Sequence, residues 1–302
     1  MLGGSGVVSI VLLIGLVGSG QATFPGGDGK IVFENPRSGG FYTVNPNGSD
    51  ERRIPRTGPL NGINSDPSFS SSGRRIVFSH TNNDSDVSSI VTINPDGSNR
   101  QTVIRRRGLH FFDPSFSPSG KRIVFVFRDS IFAVRTSGSH LHALGGNPGH
   151  DIDPSYSPGG RLIVWSSGWR INVMHSDGTH EHVVAQGPHY GEPSFSPDGE
   201  RILFTGGPRV NDTVFTNILE MNVDGTDRHH VTTDAGVSAV YHSPHFSPQG
   251  TRIVFVRQNP SPECTDCESV QVMRADGANR HRVTQQASFR PDWGPAPTSP
   301  YR

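Results

Sequence analysis

The chain is poor in the features that announce an enzyme or a nucleic-acid binder. Its Lys and Arg residues balance its Asp and Glu, so the net charge is zero. That removes the electrostatic case for nucleic acid or an anionic membrane surface. No G-x-S-x-G nucleophile elbow, H-E-x-x-H helix, G-x-x-x-x-G-K-[ST] loop or strand-to-helix G-x-G-x-x-G is present. Cysteine is reduced to Cys264 and Cys267, the CTDC of a long loop. Zinc would need two more ligands, and a thioredoxin-like pair needs a βαβ setting. In an exported chain the two are expected to form a disulfide that pins the loop. Long apolar runs are missing too, apart from VVSIVLLIGLV at 7–17. It is short for a membrane span and fits the core of a signal peptide, with cleavage after Ala22. The alternative is an uncleaved N-terminal anchor, which would be the chain's one route to a membrane. The expected division is a signal peptide over 1–22 and a single domain over 23–302.

What the chain has in quantity is turns, with 36 Gly and 24 Pro, and a repeated phrase. DPSFSPSGKRIVF at 113–125 recurs from Asp66, Asp153, Glu192 and Ser243, with a truncated RPDWGP from Arg290. The prolines of the phrase, Pro67, Pro114, Pro154, Pro193, Pro244 and Pro291, are spaced by 47, 40, 39, 51 and 47 residues. Such a period means a solenoid, a propeller or an array. Proline suits the first position of a strand, and the aromatic after it favours one. Ser-Pro-x-Gly is a tight turn. The apolar triplet that follows, such as Ile123-Val124-Phe125, is too short for a helix and reads as a strand buried on both faces. A second phrase alternates with the first: an apolar segment, a turn ending at Gly48, Gly97, Gly138, Gly178, Gly225 or Gly277, and a polar segment.

Each repeat is therefore four short strands, a to d. The N-terminal GKIVF lacks a preceding strand a, and the C-terminal RPDWGP lacks a following strand b. Joined, they complete one repeat. The expected fold is all-β: a six-bladed β-propeller of four-stranded antiparallel blades, closed by C-terminal strand a joining N-terminal strands b–d. The polar d strands, rich in Arg and His (HLHAL at 140–144, HEHVV at 180–184), suit outer edges where charge blocks pairing between molecules.

Strand alternation puts the short a–b and c–d turns on one face. The other face carries the variable d–a and b–c loops, including HTNNDSDVSS from His80, TGGPRVNDTVFT at 205–216 and NPSPECTDCES at 259–269. Binding tends to reside on such loops. Asp66, Asp113, Asp153 and Glu192 open inner strands there, with His110, His150 and His189 three residues ahead of three of them and His242 near the equivalent place in the next repeat. These eight residues are the candidate ligand or partner site at the channel mouth. Two readings stand: the acids cap local N–H groups in Asx-type turns before Pro, or acids and imidazoles form a polar-ligand or divalent-cation site.

Phrases such as DPSFSPSGKRIVF and EPSFSPDGERILF, followed by MNVDGTD or MRADGANR, resemble the WD40-like (PD40) repeats of the TolB propeller family over about residues 29–294. TolB is periplasmic, carries an α/β domain before its propeller, and binds the lipoprotein Pal through the channel face. Here the signal-like segment runs straight into the repeats, so the α/β domain is not expected. Similar propellers gate prolyl-oligopeptidase-type peptidases or form oligogalacturonate lyases, but the peptidase domain is missing and the lyase's metal ligands find no residue-by-residue match. The expectation is a periplasmic or secreted, monomeric, non-enzymatic module that docks an envelope or extracellular protein, Pal-like if the resemblance extends so far. No cofactor is required by this reading. The rival is an enzyme or carbohydrate-binding protein with a divalent cation or ligand held by the His/Asp mouth.

Overall fold

The computed structural model describes residues 23–58, 62–145, 151–210, 213–234, 239–259, 268–284 and 288–297. The signal-like segment, His150 and the Cys264/Cys267 pair lie outside them. Six four-stranded antiparallel sheets form the blades. Blade 1 is Phe289–Pro295, Asp28–Asn35, Gly40–Val44 and Arg52–Arg53, from the axis outward. Blade 2 is Gly62–Phe69, Ile76–Asn82, Val87–Ile93 and Gln101–Arg107. Blade 3 is Phe111–Phe116, Arg122–Phe127, Ser130–Arg135 and His142–Gly145. Blade 4 is Asp151–Tyr156, Leu162–Ser167, Arg170–His175 and His182–Gln186. Blade 5 is Gly191–Phe195, Arg201–Gly206, Asn217–Asn222 and His229–His230, and blade 6 is Val240–Phe246, Arg252–Gln258, Glu268–Arg274 and His281–Arg282.

The apolar triplets do what their composition requires. Val77, Val124, Val164, Leu203 and Val254 are wholly buried, and Phe78, Phe125, Trp165, Phe204 and Phe255 with them. Each strand b thus packs on both faces between neighbouring blades. In the Ser-x-x-Gly turn the glycine N–H donates to the serine carbonyl, at 2.8 Å for Gly120 to Ser117 and Gly160 to Ser157.

The c–d turns also hold the blades together. Their glycines have φ of 81–88°, and each faces the outer strand of the preceding blade. A Cβ on Gly138, Gly178, Gly225 or Gly277 would stand 2.1–2.5 Å from the carbonyl oxygen of Val103, Leu144, Val184 or Val231. Gly97 meets Pro55, and Gly48 meets Val283 of blade 6, which completes the circle. These positions need glycine for its conformation and for its lack of a side chain.

Closure follows the expected route. Ile31 pairs with Trp293 and Val32 with Asp292, so the C-terminal strand is the inner strand of blade 1. Trp293 is 1% exposed and its Nε1 donates to Gly29 O at 3.2 Å.

Two expectations about strand ends change. The phrase's proline does not begin strand a. In blade 2 the strand starts at Gly62, four residues before Asp66. The ladder is interrupted there between Ser65 and Ser68, and between matching residues in the other blades. Proline is tolerated because the bulge already lacks the hydrogen bond. The HTNNDSDVSS segment is mostly strand, since its ends pair as far as Asn82 with Val87.

Candidate functional site

The residue before each of these prolines is a backbone outlier. Asp66, Asp113, Asp153, Glu192, Ser243 and Arg290 all have φ between 46° and 59°. Left-handed conformation is uncommon outside glycine, Asn and Asp. Six occurrences at the same place in six blades make it a built feature. The bulge turns each side chain toward the neighbouring blade around the axis.

There the carboxylates form a belt. Glu34 Oε1 accepts the Asp66 N–H at 2.6 Å. Asp66 Oδ2 accepts the Asp113 N–H at 3.3 Å, and Asp113 Oδ2 accepts the Asp153 N–H at 3.3 Å. Glu192 Oε2 accepts the Ser243 N–H at 2.9 Å. Glu34, Asp66, Asp113 and Glu192 each therefore satisfy the bulge N–H of the next blade. The local Asx capping expected from the sequence is replaced by capping between blades. All four predicted acids are buried, between 0% and 7% exposed. They sit on the innermost strands, closed off from solvent.

Strand b supplies a second donor to most of them. Ser79 Oγ donates to Asp66 Oδ2 at 3.0 Å, Ser166 Oγ to Asp153 Oδ2 at 3.4 Å and Thr205 Oγ1 to Glu192 Oε2 at 3.0 Å. In blade 3 the same position is Val126. In blade 1 it is Glu34, whose strand b thus provides the acid that its inner strand lacks. That inner strand provides Arg290 instead, with Nη1 2.9 Å from Asp66 Oδ1 and 3.4 Å from Glu34 Oε1.

Burial dominates the electrostatics. It pushes the Glu34 carboxyl up to about 7 despite the opposing pull of Arg290. Burial, reinforced by Asp66, holds Asp113 well above the carboxylate range; burial, reinforced by Asp113 and Glu192, does the same for Asp153. Glu192 is the exception. Burial would raise it, but hydrogen bonding and charge from His242 with the Ser243 N–H bring it below its ordinary value. His242 Nδ1 lies 3.7 Å from Glu192 Oε1, and this partner raises the imidazole against its own desolvation.

His110 and His189 do not join this pair. His110 lies on the rim with Nε2 3.7 Å from Asp86 Oδ1. His189 places Nδ1 3.1 Å from Gly207 O, donating to it, and its ring lies 4.6 Å from that of Trp169. Among the described residues no three His, Cys, Asp or Glu side chains are grouped to hold a metal ion.

The rim holds residues that sequence reasoning missed. Ile63 is 59% exposed, Phe112 44% and Trp169 58%. Ile63 and Phe112 precede the bulges of blades 2 and 3. Trp169 sits in the two-residue b–c turn of blade 4, between the paired Ser167 and Arg170. Gly168 and Trp169 have φ of 56° and 66°, the signature of a type I′ turn. An exposed Trp in left-handed conformation is favoured neither by burial nor by its backbone. The signal for Glu34 was in the sequence: after the triplet, IVFE stands where the other repeats have IVFS, IVFV, IVWS or ILFT.

A family model described as the TolB beta propeller domain matches residues 67–297. Among solved structures, TolB from Acinetobacter baumannii superposes with a TM-score of 0.72 at 18% identity, covering 89% of this chain and 67% of that one. The putative TolB from Agrobacterium tumefaciens gives 0.63 at 18%, covering 88% and 98%. An oligogalacturonate lyase in complex with manganese gives 0.53 at 13%, covering 88% and 75%. At these identities the likeness is one of fold. No curated protein sequence matches the chain.

Proposed function

Because the chain belongs to the TolB β-propeller family, we propose that it is a binding module that docks a partner protein on its variable-loop face, around the channel mouth. The observation that carries this reading is the collar of Ile63, Phe112 and Trp169. Three of the four large apolar side chains left exposed among the described residues stand on that one face. Exposed aromatics grouped on a surface mark interaction sites. Trp169 is held there against its backbone preference, and strain of this kind collects at functional positions. His189, stacked on it, and His110, with its ring 6.1 Å from Phe112, supply the polar rim. The buried acids belong to the floor below.

The signal-like segment at 7–17 supports export, to the periplasm or beyond, with an envelope or extracellular protein as partner. The test is capture from envelope extract by the wild type and by a Phe112→Asn/Trp169→Asn double variant. A partner retained by the wild type and lost by the variant is expected. Equal recovery by both, or recovery by neither, sinks the reading.

A further inference from the structure

We propose that the outer strand of blade 2, Gln101–Arg107, takes up an extended acidic segment of another protein as a fifth strand. It lies at the outer edge of its blade, whereas the collar residues belong to inner strands and a b–c turn.

This strand is unlike its counterparts. It has seven residues, against two, four, five, two and two in blades 1, 3, 4, 5 and 6. It follows strand c to its end, where Arg107 pairs with Val87. Among the described residues no strand pairs with its other side. The first part of that side is covered. A Cβ on Gly138 of blade 3 would stand 2.4 Å from the Val103 carbonyl oxygen, so the c–d turn of blade 3 packs there. Residues 104–107 continue past that contact.

Their backbone direction follows from one hydrogen bond. The Gly108 N–H donates to Asp86 O at 2.9 Å, and residues of an antiparallel pair alternate in direction. Ile104 and Arg106 therefore turn their backbone groups inward to strand c. Arg105 and Arg107 turn theirs outward, and each presents an N–H and a carbonyl to an incoming strand. The Arg105 carbonyl shows this directly, since the exposed Arg106 side chain donates to it from Nη1 at 2.9 Å.

Charge selects the strand that can enter. From Gln101 to Leu109 the charged residues are Arg105, Arg106 and Arg107, all exposed. Among the described residues none of the three forms an ion pair. Asp86, beside the end of the strand, is directed at His110, with Oδ1 3.7 Å from Nε2. Opposite charges facing across a strand pair are favourable and like charges are not. Three cations in a row thus turn away a basic edge and admit an acidic one. A second copy of this chain does not supply it, since its outer strands include Arg52–Arg53, His229–His230 and His281–Arg282. Arg105 and Arg107 stand on one face of the strand and Arg106 on the other. Consecutive Glu or Asp residues on the incoming strand would meet them on both faces, and guanidinium and carboxylate can join by two parallel hydrogen bonds.

The probe is the fluorophore-labelled peptide Thr-Val-Glu-Glu-Glu-Val-Thr-amide, titrated with the full chain and read by anisotropy at low salt. It is compared with its Gln counterpart and with a copy N-methylated at the three Glu amides, which keeps the charge and removes the ladder donors. The expected result is about ten-fold or greater preference for the Glu peptide over both, built from several cross-strand ion pairs and shrinking as salt is added. Arg105→Glu/Arg107→Glu should reverse the preference toward a Lys counterpart, which also shows that the variant is folded. Arg105→Thr/Arg107→Thr, neutral and strand-favouring, should remove the Glu preference and covers the case of a reversal variant that fails to fold. No binding of the Glu peptide, equal binding of Glu and Gln, or a Glu preference that survives either variant overturns the proposal. Equal binding of the N-methylated copy reduces the surface to a charged patch without strand pairing and also overturns it. Sedimentation of the wild type as a dimer, with both variants monomeric, would assign the edge to a second copy instead.

Discussion

Two side chains show how far single residues are committed to the ring. Arg290 is the guanidinium set against the Asp66 and Glu34 carboxyls. Replacing it by Gln leaves buried acids facing each other without a counter-charge. Breaking such a pair costs about 3–5 kcal/mol, and protonation of the acids reduces the penalty. Urea unfolding of Arg290→Gln should therefore show a larger loss at about pH 8 than at about pH 5.5; an equal loss at both would mean that the guanidinium matters only for packing. Trp169 makes the opposite case. Its left-handed φ of 66° and its exposure mean that the fold gains little from it. Trp169→Asn should hold or raise stability, by up to about 1–2 kcal/mol, because Asn tolerates this conformation. A substantial drop in melting temperature would show that the stacking on His189 is structural.

Among the elements, the closing strand is the one whose removal tests the architecture. Phe289–Pro295 pairs along Asp28–Asn35, and Asp292 Oδ2 also accepts the Phe69 N–H of blade 2 at 2.6 Å. Truncation before Phe289 exposes the inner faces of blades 1, 2 and 6, and cooperative unfolding should be lost. Trp293→Ala alone should cost about 3–5 kcal/mol. A truncated protein that melts like the wild type would refute the ring closure. Most of this level was legible in the sequence. The repeat period, the Ser-Pro-x-Gly turns and the exchange of a C-terminal strand for an N-terminal one all follow from local patterns. The bulge was not legible, because one unpaired residue leaves the phrase unchanged while redirecting Asp66 and its equivalents into the channel. The belt could not be read for the same reason, since its hydrogen bonds join residues brought together only by the closed circle. Trp169 escaped notice because an aromatic beside glycine looks like any strand end.

At the scale of the whole molecule, the buried acids set the expected response to pH. Burial raises Glu34 from 4.5 to about 7 and Asp292 from 3.8 to about 7, and raises Asp113 and Asp153 as well. A carboxyl raised on folding keeps a proton that the unfolded chain has released, so folded-state stability falls as pH rises from about 4.5 to about 7. His242, raised by Glu192, acts in the same direction: its contribution is full below the ordinary imidazole value and is lost as pH rises through the folded one. Glu192 opposes this, but its contribution fades only as pH falls below the ordinary carboxylate value. Thermal melts should therefore peak at about pH 4.5 and decline toward about pH 8. A peak at neutral pH would mean that water or ions in the channel keep these acids charged.

The order in which the ring can form follows from where its last strand is encoded. Glu34 and Arg290 stand 256 residues apart in the chain yet meet in blade 1. Blades 2 to 6 are each continuous in sequence and can assemble by local contacts as the polypeptide emerges from the ribosome. The three strands at Asp28–Asn35, Gly40–Val44 and Arg52–Arg53 must wait with an open flank until residues 289–295 have been made. Contacts of such sequence separation form late and slowly. Throughout synthesis the nascent chain is an incomplete circle, with blade 1 lacking its inner strand until the last residues of the ring arrive.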